Sequence, residues 1–199
     1  MNKQQLLENF EQYFQVDDAN QVNLKEVNLD EVPSTLDELE AKIPALFKLA
    51  NEMKELDHKM LSPLRNLGDI ATDLAAFLQA QSRKIDLIMS HILATEQPDE
   101  DNIYCDSYGG GGLRFTSQVT YPVGTALRTK LFLRQEAAAI YCYCEVIDVK
   151  SSKDDKHQHT IAFTKIREED QELVVRASLH AQTRQLKKRQ SEQNKEQNS

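Results

Sequence analysis

An apolar residue recurs every three or four positions from Leu39 to Ile92, and this repeat constrains the chain more than any other feature. With Leu39 at heptad position d, fourteen of the sixteen a and d positions are apolar in one unbroken register. A seven-residue period kept over so many heptads is typical of a coiled coil, whereas a helix packed on a globular core follows the 3.6-residue period. The sequence therefore predicts long helices that join chains into a homo-oligomer.

The interface of this oligomer is expected to consist of the apolar a and d side chains. They are Ile43, Leu46, Met53, Met60, Leu64, Leu67, Leu74, Leu78, Ile85, Ile88 and Ile92, with Leu39 at the start and Ala50 and Ala71 between them. Asp57 and Gln81 occupy the two polar positions of the seam, where they would weaken the assembly and fix its register.

Two prolines interrupt the heptad segment. Pro44 removes a backbone donor near its start, and Ser62-Pro63 is typical of a cap followed by the first residue of a new helix. The segment therefore forms either two helices, at about 36–61 and 63–94, or one kinked helix. A hairpin of two helices would close the seam within one chain and lie on the domain, whereas a projecting second helix needs another subunit. We favour assembly between chains.

Beyond a polar linker at 95–101, the period changes from seven residues to two. The alternation predicts β-strands at 112–119, 124–133, 138–149 and 159–166, joined by short loops as in an antiparallel sheet or barrel. From Glu168 to about Arg189 the pattern is again helical, with acidic residues first and basic residues last, which suits the helix dipole.

These patterns predict an α+β fold in four regions. An N-terminal segment, polar and irregular from residue 15 onward, covers residues 1–33. Long coiled-coil-like helices follow at 34–95, then a small antiparallel β-barrel with a C-terminal helix at 101–189, and a polar, disordered tail at 190–199.

Charge and composition exclude several classes of protein. The net charge is −8, and residues 1–100 carry 9 basic against 19 acidic side chains, which argues against binding duplex DNA. No apolar run reaches the roughly 18 residues of a membrane span, so we expect no membrane insertion. The first residues do not resemble a secretory signal, and the three cysteines show no disulfide spacing, so we expect a cytoplasmic protein.

Catalytic and metal-binding patterns are weak. The chain has no P-loop, no G-x-S-x-G and no H-E-x-x-H, so the sequence does not indicate an enzyme. Cys142, Cys144, His157 and His159 are residues of types that bind metals, but the two cysteines share an apolar strand face, where a thiol usually acts as a small hydrophobe, and the histidines follow a loop. We expect no metal and no other cofactor.

Four of the six glycines stand together at 109–112, within the stretch DSYGGGGLRF. Such a run either cradles a phosphate with backbone N–H groups or forms a flexible or bulged entry into a strand. We favour the strand entry. Arg114 alternates with Leu113 and Phe115, so its guanidinium is expected on the outer face beside the loop, where an anion would bind.

The order of strands and helix after residue 100 resembles a PilZ domain, a small β-barrel known as a bacterial receptor for cyclic di-GMP. The resemblance covers about half of the chain. It rests on GLRF (112–115), PVGTALRTKLFL (122–133), YCYCEVIDV (141–149) and HTIAFTKIREEDQELVVRASLHAQTRQLK (159–187).

The resemblance implies a nucleotide site in two parts, an R-x-x-x-R pair and an Asp/Asn-x-Ser-x-x-Gly motif. Aligned on Gly112, this chain places Ser107 at the acid position and Gly109 at the serine position, so the motif is degenerate. No two arginines are four residues apart, and a lone lysine does not replace the bidentate phosphate contacts of paired guanidiniums. The candidate ligand is cyclic di-GMP, and the candidate residues are Ser107, Gly109, Gly112 and Arg114.

An atypical subgroup of PilZ proteins departs from the pattern in the same way and carries a heptad-bearing helix just before the barrel. The stretch SRKIDLIM (82–89) resembles the end of that helix. The resemblance implies a signalling protein, an atypical cyclic di-GMP receptor or effector that forms a tetramer or a dimer through its helices and acts on protein partners. The alternative is an oligomeric adaptor that binds no nucleotide.

Overall fold

The computed structural model describes residues 3–53, 68–95, 102–152 and 154–197. Six antiparallel strands close into a barrel in the order β1-β2-β3-β6-β5-β4. The strands are β1 (Gln21–Glu26), β2 (Asn102–Gly109), β3 (Gly112–Ser117), β4 (Ala126–Leu133), β5 (Ala138–Ser151) and β6 (His157–Lys165).

Helices cover the outside and one end of this barrel. They are α1 (Lys3–Glu11), α2 (Leu36–Lys42), α3 (45–53), α4 (Gly68–Thr95) and α5 (Glu168–Gln197). The predicted antiparallel barrel with its C-terminal helix is confirmed.

The barrel core follows the two-residue alternation of the strands. On β5, Ile140, Cys142, Cys144 and Val146 face the interior, where they meet residues of the other strands such as Leu127. Four apolar residues of α5 join the same core, so this helix covers an end of the barrel: Leu173, Val174, Ala177 and Ala181. The intervening β5 residues Tyr141 and Tyr143 pack outside the barrel against the other helices.

Two strands were missed in the sequence. The stretch predicted to be polar and irregular contains β1, whose sequence QVNLKE contributes only Val22 and Leu24 to the core. β1 pairs with β2 on one side and β4 on the other, and so completes the ring. β2 also had no strand pattern, because polar residues and the first glycine of the run make up much of its length.

The predicted long helix from residue 36 is wrong, because it is interrupted at Ile43 and Pro44. Thr35 caps α2 by accepting a hydrogen bond from the Glu38 N–H, and Ile43 is already extended, with φ −66° and ψ 127°. Proline disfavours the helical conformation in the preceding residue and has no N–H to donate. A new helix, α3, therefore starts at residue 45. The junction predicted at 61–63 between the two heptad helices lies outside the described residues.

The short helices α2 and α3 pack on the barrel. Leu39, Ile43, Phe47 and Ala50 form a buried cluster with the outer β4 and β5 residues Phe132, Ala139, Tyr141 and Tyr143. Met89 near the end of α4 joins this cluster.

At the C-terminal end of the described residues, α5 continues to Gln197. Residues 190–197, predicted to be a disordered tail, are therefore helical.

A buried polar network fastens the helices to the start of α5. The Asp170 carboxylate is 1% exposed and accepts hydrogen bonds from Arg167 Nε (2.8 Å), Arg167 Nη2 (2.9 Å) and Asn51 Nδ2 (2.7 Å). Arg167 Nη1 also lies 3.0 Å from Glu40 Oε2, and Asn51 donates to the Ala139 carbonyl on β5. Burial raises the pKa of Asp170, although Arg167 acts in the opposite direction. The network thus joins α2, α3, α5 and β5.

Replacing Asp170 is expected to destabilise the fold strongly, because the Arg167 charge would lose its most buried partner. We expect Asp170→Ala to lower the free energy of unfolding by about 3 kcal/mol. Glu169→Ala is the matched control. Glu169 also contacts Arg167, but its side chain is 50% exposed, so a loss below about 1 kcal/mol is expected. Chemical denaturation measures both, and equal losses would contradict this assignment.

Candidate functional site

The glycine run forms the tight connection between β2 and β3. Gly109 pairs with Gly112 across the hairpin, and Gly110 and Gly111 make the two-residue turn. Gly112 has φ +151°, a conformation that favours glycine. The irregularity of this hairpin lies just before the glycines, where the strand register shifts between Cys105 and Ser107.

The chain's own N-terminal segment, residues 9–16, covers the glycine hairpin. A Cβ on Gly109 would overlap the Phe14 carbonyl oxygen, and one on Gly110 would overlap the Tyr13 ring. A Cβ on Gly111 would lie 2.6 Å from Phe10 Cα. Gly109 and Gly111 are therefore required because another stretch of backbone lies directly against them, whereas Gly110 faces the side chains of Tyr13 and Val175.

Hydrogen bonds and a small apolar cluster hold this N-terminal segment in place. Val16 exchanges two backbone hydrogen bonds with Tyr108, at N···O distances of 2.9 and 3.1 Å. Leu6 and Phe10 of α1 are buried in a cluster with Ile147 and Ala162 on the outside of the barrel. On the far side of the hairpin, α5 supplies Gln171, whose Nε2 donates to the Gly110 carbonyl at 2.8 Å.

The structure brings the four candidate ligand residues to one face of the hairpin. Ser107 pairs with Arg114 and Gly109 with Gly112, and cross-strand partners share a face. This is the outer face, because the neighbouring residues Tyr108, Leu113 and Phe115 lie in the barrel core. The Arg114 guanidinium lies 5.0 Å from the centroid of the Phe10 ring, a cation–π contact with α1.

Several polar groups on and beside this face have no hydrogen-bond partner in the part of the chain that the structure describes. The Ser107 hydroxyl and the side-chain amide atoms Nε2 and Oε1 of Gln15 are buried and make no hydrogen bond. Arg114 makes no ion pair with a described carboxylate. These groups and the backbone donors of the hairpin are the kind that bind an anion. Residues 9–16 cover them, so a ligand would reach them only if that segment moved.

The sequence offered little indication of this covering segment. Residues 9–16 are mostly polar, and their aromatic residues Phe10, Tyr13 and Phe14 follow no strand or helix period that points to the hairpin. The contact joins two stretches almost a hundred residues apart, which local patterns do not reveal.

The cysteine and histidine side chains occupy structural positions in the barrel. Cys142 Sγ and Cys144 Sγ lie 3.9 Å apart in the core, and burial raises the pKa of the Cys142 thiol. Burial also raises the pKa of Cys105, to about 11. His159 stacks on Phe115 with ring centroids 4.8 Å apart. Among the residues described, no three metal-ligating side chains come together.

The predicted oligomer seam is divided between two environments. Ile43, Leu46 and Met53 pack on the barrel within one chain. In contrast, the seam residues of α4 are exposed: Leu74 (52%), Leu78 (38%), Ile85 (43%), Ile88 (59%) and Ile92 (38%). Met60, Leu64 and Leu67 lie outside the described residues. Within the described helices, none is both long and apolar enough to cross a membrane.

The fit between the glycine hairpin and the N-terminal segment can be tested with Gly111→Ala. The added methyl group would collide with the Phe10 backbone, so we expect a loss of about 1–3 kcal/mol in stability and faster amide exchange at Val16 and Tyr108. Gly124→Ala is the control, since it has nothing within 4 Å but a φ of +92°. It should lower stability without changing exchange in residues 3–16. Similar exchange in both variants would show that the glycines do not position this segment.

Comparison with known proteins identifies the fold. No model of a known protein family matches the chain, and no curated protein matches it. A pathogenic protein from Xanthomonas campestris, described as a new tetrameric PilZ domain self-assembled via an unusual helical bundle, matches with TM-score 0.51 and 14% identity, covering 89% of this chain and 90% of that one. The Bacillus subtilis inhibitor of motility MotI/DgrA matches with TM-score 0.45 and 14% identity; 89% of this chain is covered, but only 52% of the Bacillus chain, about half its length. Together with the closed six-stranded barrel and its C-terminal helix, the Xanthomonas match shows that this chain has a PilZ-like fold.

Proposed function

We propose that this chain is a PilZ-like signalling protein that self-assembles through the exposed apolar face of α4 and acts on protein partners by binding. The observation that carries the proposal is the row of five exposed a and d residues on α4, from Leu74 to Ile92. The PilZ-like fold supports the expectation that the chain is not an enzyme. Its three free cysteines are all buried and unpaired, which suits a reducing compartment, and we therefore place the protein in the cytoplasm.

Burial of this α4 face would provide the driving force for assembly. Complete burial of an exposed leucine or isoleucine side chain contributes about 1.5–3 kcal/mol. The five residues of this row are 38–59% exposed in the single chain, so each would contribute about half of that value. Exposed apolar rows of this extent typically mark a protein–protein interface. The preserved heptad spacing favours a second helix of the same kind as the partner.

The residues at the seam favour more than two helices. Isoleucine at both a and d positions shifts coiled coils from dimers towards trimers and tetramers, and the last part of α4 has Ile85 and Ile92 at a with Ile88 at d. Leu74 at d, by contrast, is the residue typical of dimers at that position. Phe77, at the flanking g position, is 58% exposed and widens the apolar stripe. The similar Xanthomonas structure is described as a tetramer built through a helical bundle. We therefore propose a tetramer for this chain.

Two adjacent residues of α4 give a direct test of this interface. Ile88 lies in the seam at d and Leu87 outside it at c, and they are 59% and 67% exposed in the single chain. Ile88→Asp would place a carboxylate in the assembled core and should reduce the mass measured by light scattering from about four times 22.8 kDa to a smaller species. Leu87→Asp should leave the mass unchanged. A wild-type mass of one chain, or equal dissociation by both variants, would overturn the proposal.

A second candidate function is cyclic di-GMP binding on the outer face of the hairpin. Two observations favour it. The Ser107 hydroxyl and the Gln15 side-chain amide have no hydrogen-bond partner among the described residues, and Ser107 shares a face with Gly109, Gly112 and Arg114. The absent arginine pair and the covering N-terminal segment act against it. We therefore rank it below self-assembly, and cyclic di-GMP would bind only with displacement of residues 9–16.

Titration calorimetry with cyclic di-GMP tests this second candidate. We expect the wild-type protein to bind with a dissociation constant above about 1 μM, which corresponds to less than about 8 kcal/mol. Gly111→Ala should bind more tightly, because it loosens the covering segment, and the additional change Arg114→Ala should remove that gain. Tight binding by the wild type that Arg114→Ala does not weaken would place the ligand elsewhere.

A further inference from the structure

The side of α5 that points away from the barrel core carries three apolar residues, of which Val175 is partly covered by Gly110 and Tyr13, whereas Leu179 and Leu186 are half-exposed. Its inner side is formed by Leu173, Val174, Ala177 and Ala181, which lie in the barrel core. At 100° per residue, Val175, Leu179 and Leu186 fall on the opposite side. Leu179 is 50% exposed and Leu186 is 51% exposed.

This outer row of α5 also has coiled-coil spacing. Its members are separated alternately by four and three residues: Glu168, Glu172, Val175, Leu179, Gln182, Leu186 and Arg189. Three apolar residues and Gln182 occupy the middle, two acidic residues one end, and a basic residue the other. Two such helices in parallel would place Glu172 beside Glu172 of the partner subunit, which is unfavourable. In antiparallel arrangement, acidic ends meet basic ends.

A depression on the same side of α5 has the shape and charge to receive such a partner. It has a volume of about 580 Å³ between α5 and Tyr13, and its lining includes Val175 and Leu179, the carboxylates of Glu168 and Glu172, and also Arg176 and His180. The two carboxylates outnumber the single guanidinium of the lining. An apolar side chain followed by a basic one fits this lining. Leu186 and Arg189 of a second copy provide that pair.

We infer that the outer face of α5 is a second interface between copies of this chain, in which two α5 helices pack antiparallel around a two-fold axis. With a positions facing d positions, one register places Leu186 on Val175 of the partner subunit and Arg189 beside Glu172 of the partner subunit. The same register sets Leu179 against Gln182 of the partner subunit, but it brings no apolar residue against a charged one. A shift by one heptad sets Leu186 against Glu168 in one direction, and Leu179 against Arg189 in the other. The sequence of α5 therefore selects this single antiparallel register.

The α5 interface uses a different surface from the α4 seam. A two-fold interface brings the same patch of both chains together and closes on itself, so it adds one partner per chain. It has only three apolar residues on each side, so it is weaker than the α4 seam and needs higher protein concentration. When the α4 seam is disabled, α5 alone joins chains in pairs.

Sedimentation analysis of the full chain with Ile88→Asp isolates this second interface. Over micromolar to near-millimolar concentrations, the average mass should rise from 22.8 kDa towards twice that value. Adding Glu172→Arg or Arg189→Glu should weaken dimerisation at least about tenfold, because each change affects two symmetric pairs. Combining both should restore it, since the charges are exchanged across the interface. Lys187→Glu, next to the row but outside it, is the matched control and should have little effect.

The outcomes separate the two interfaces. A monomer at every concentration, or charge reversals without effect, would overturn the α5 interface and leave α4 assembly to be judged on the wild-type mass. Weakening by both single changes without restoration in the double variant would overturn the antiparallel register. If Ile88→Asp has the same mass as the wild type and Leu179→Asp makes both monomeric, α5 is an interface and the α4 proposal fails.

Discussion

Closure of the sheet by β1 is the constraint on which the rest of this structure depends. This short strand hydrogen-bonds to β2 along one edge and to β4 along the other, and without it the barrel would be an open sheet with two free edges. Closure separates an interior from an exterior. α5 then covers an end of the interior, α2 and α3 pack outside β4 and β5, and α1 packs outside β5 and β6.

Strands with strong alternation could be predicted from the sequence, and strands without it could not. β5 repeats core residues at every second position from Ile140 to Val146, and α5 begins with acidic residues directly after β6. β1 has only Val22 and Leu24 for the core, and its partners lie about 80 to 110 residues away. β1 pairs with β2 and β4 because it closes the ring of strands, and no local sequence pattern indicates that pairing.

Periodicity also does not reveal the partner of an apolar face. Ile43 and Ile88 belong to one heptad register in the sequence, but Ile43 packs on the barrel while Ile88 remains exposed. Pro44 explains the difference, because the break before α3 directs the short helices onto the outer face of β4 and β5. The outer-face position of Arg114 followed from strand alternation in β3. The pairing that places Ser107 of β2 on the same face was not indicated by the sequence, and the segment that covers this face depends on a distant contact.

That distant contact links variation at two places in the chain. Positions 109–111 have no room for a side chain while residues 9–15 lie against them. Related sequences that keep these glycines should therefore also keep an N-terminal segment of similar length, with aromatic residues near positions 10 and 13. Where larger residues replace the glycines, that segment should be shortened or altered. Covariation between two stretches so far apart would then record a packing contact, independently of any ligand.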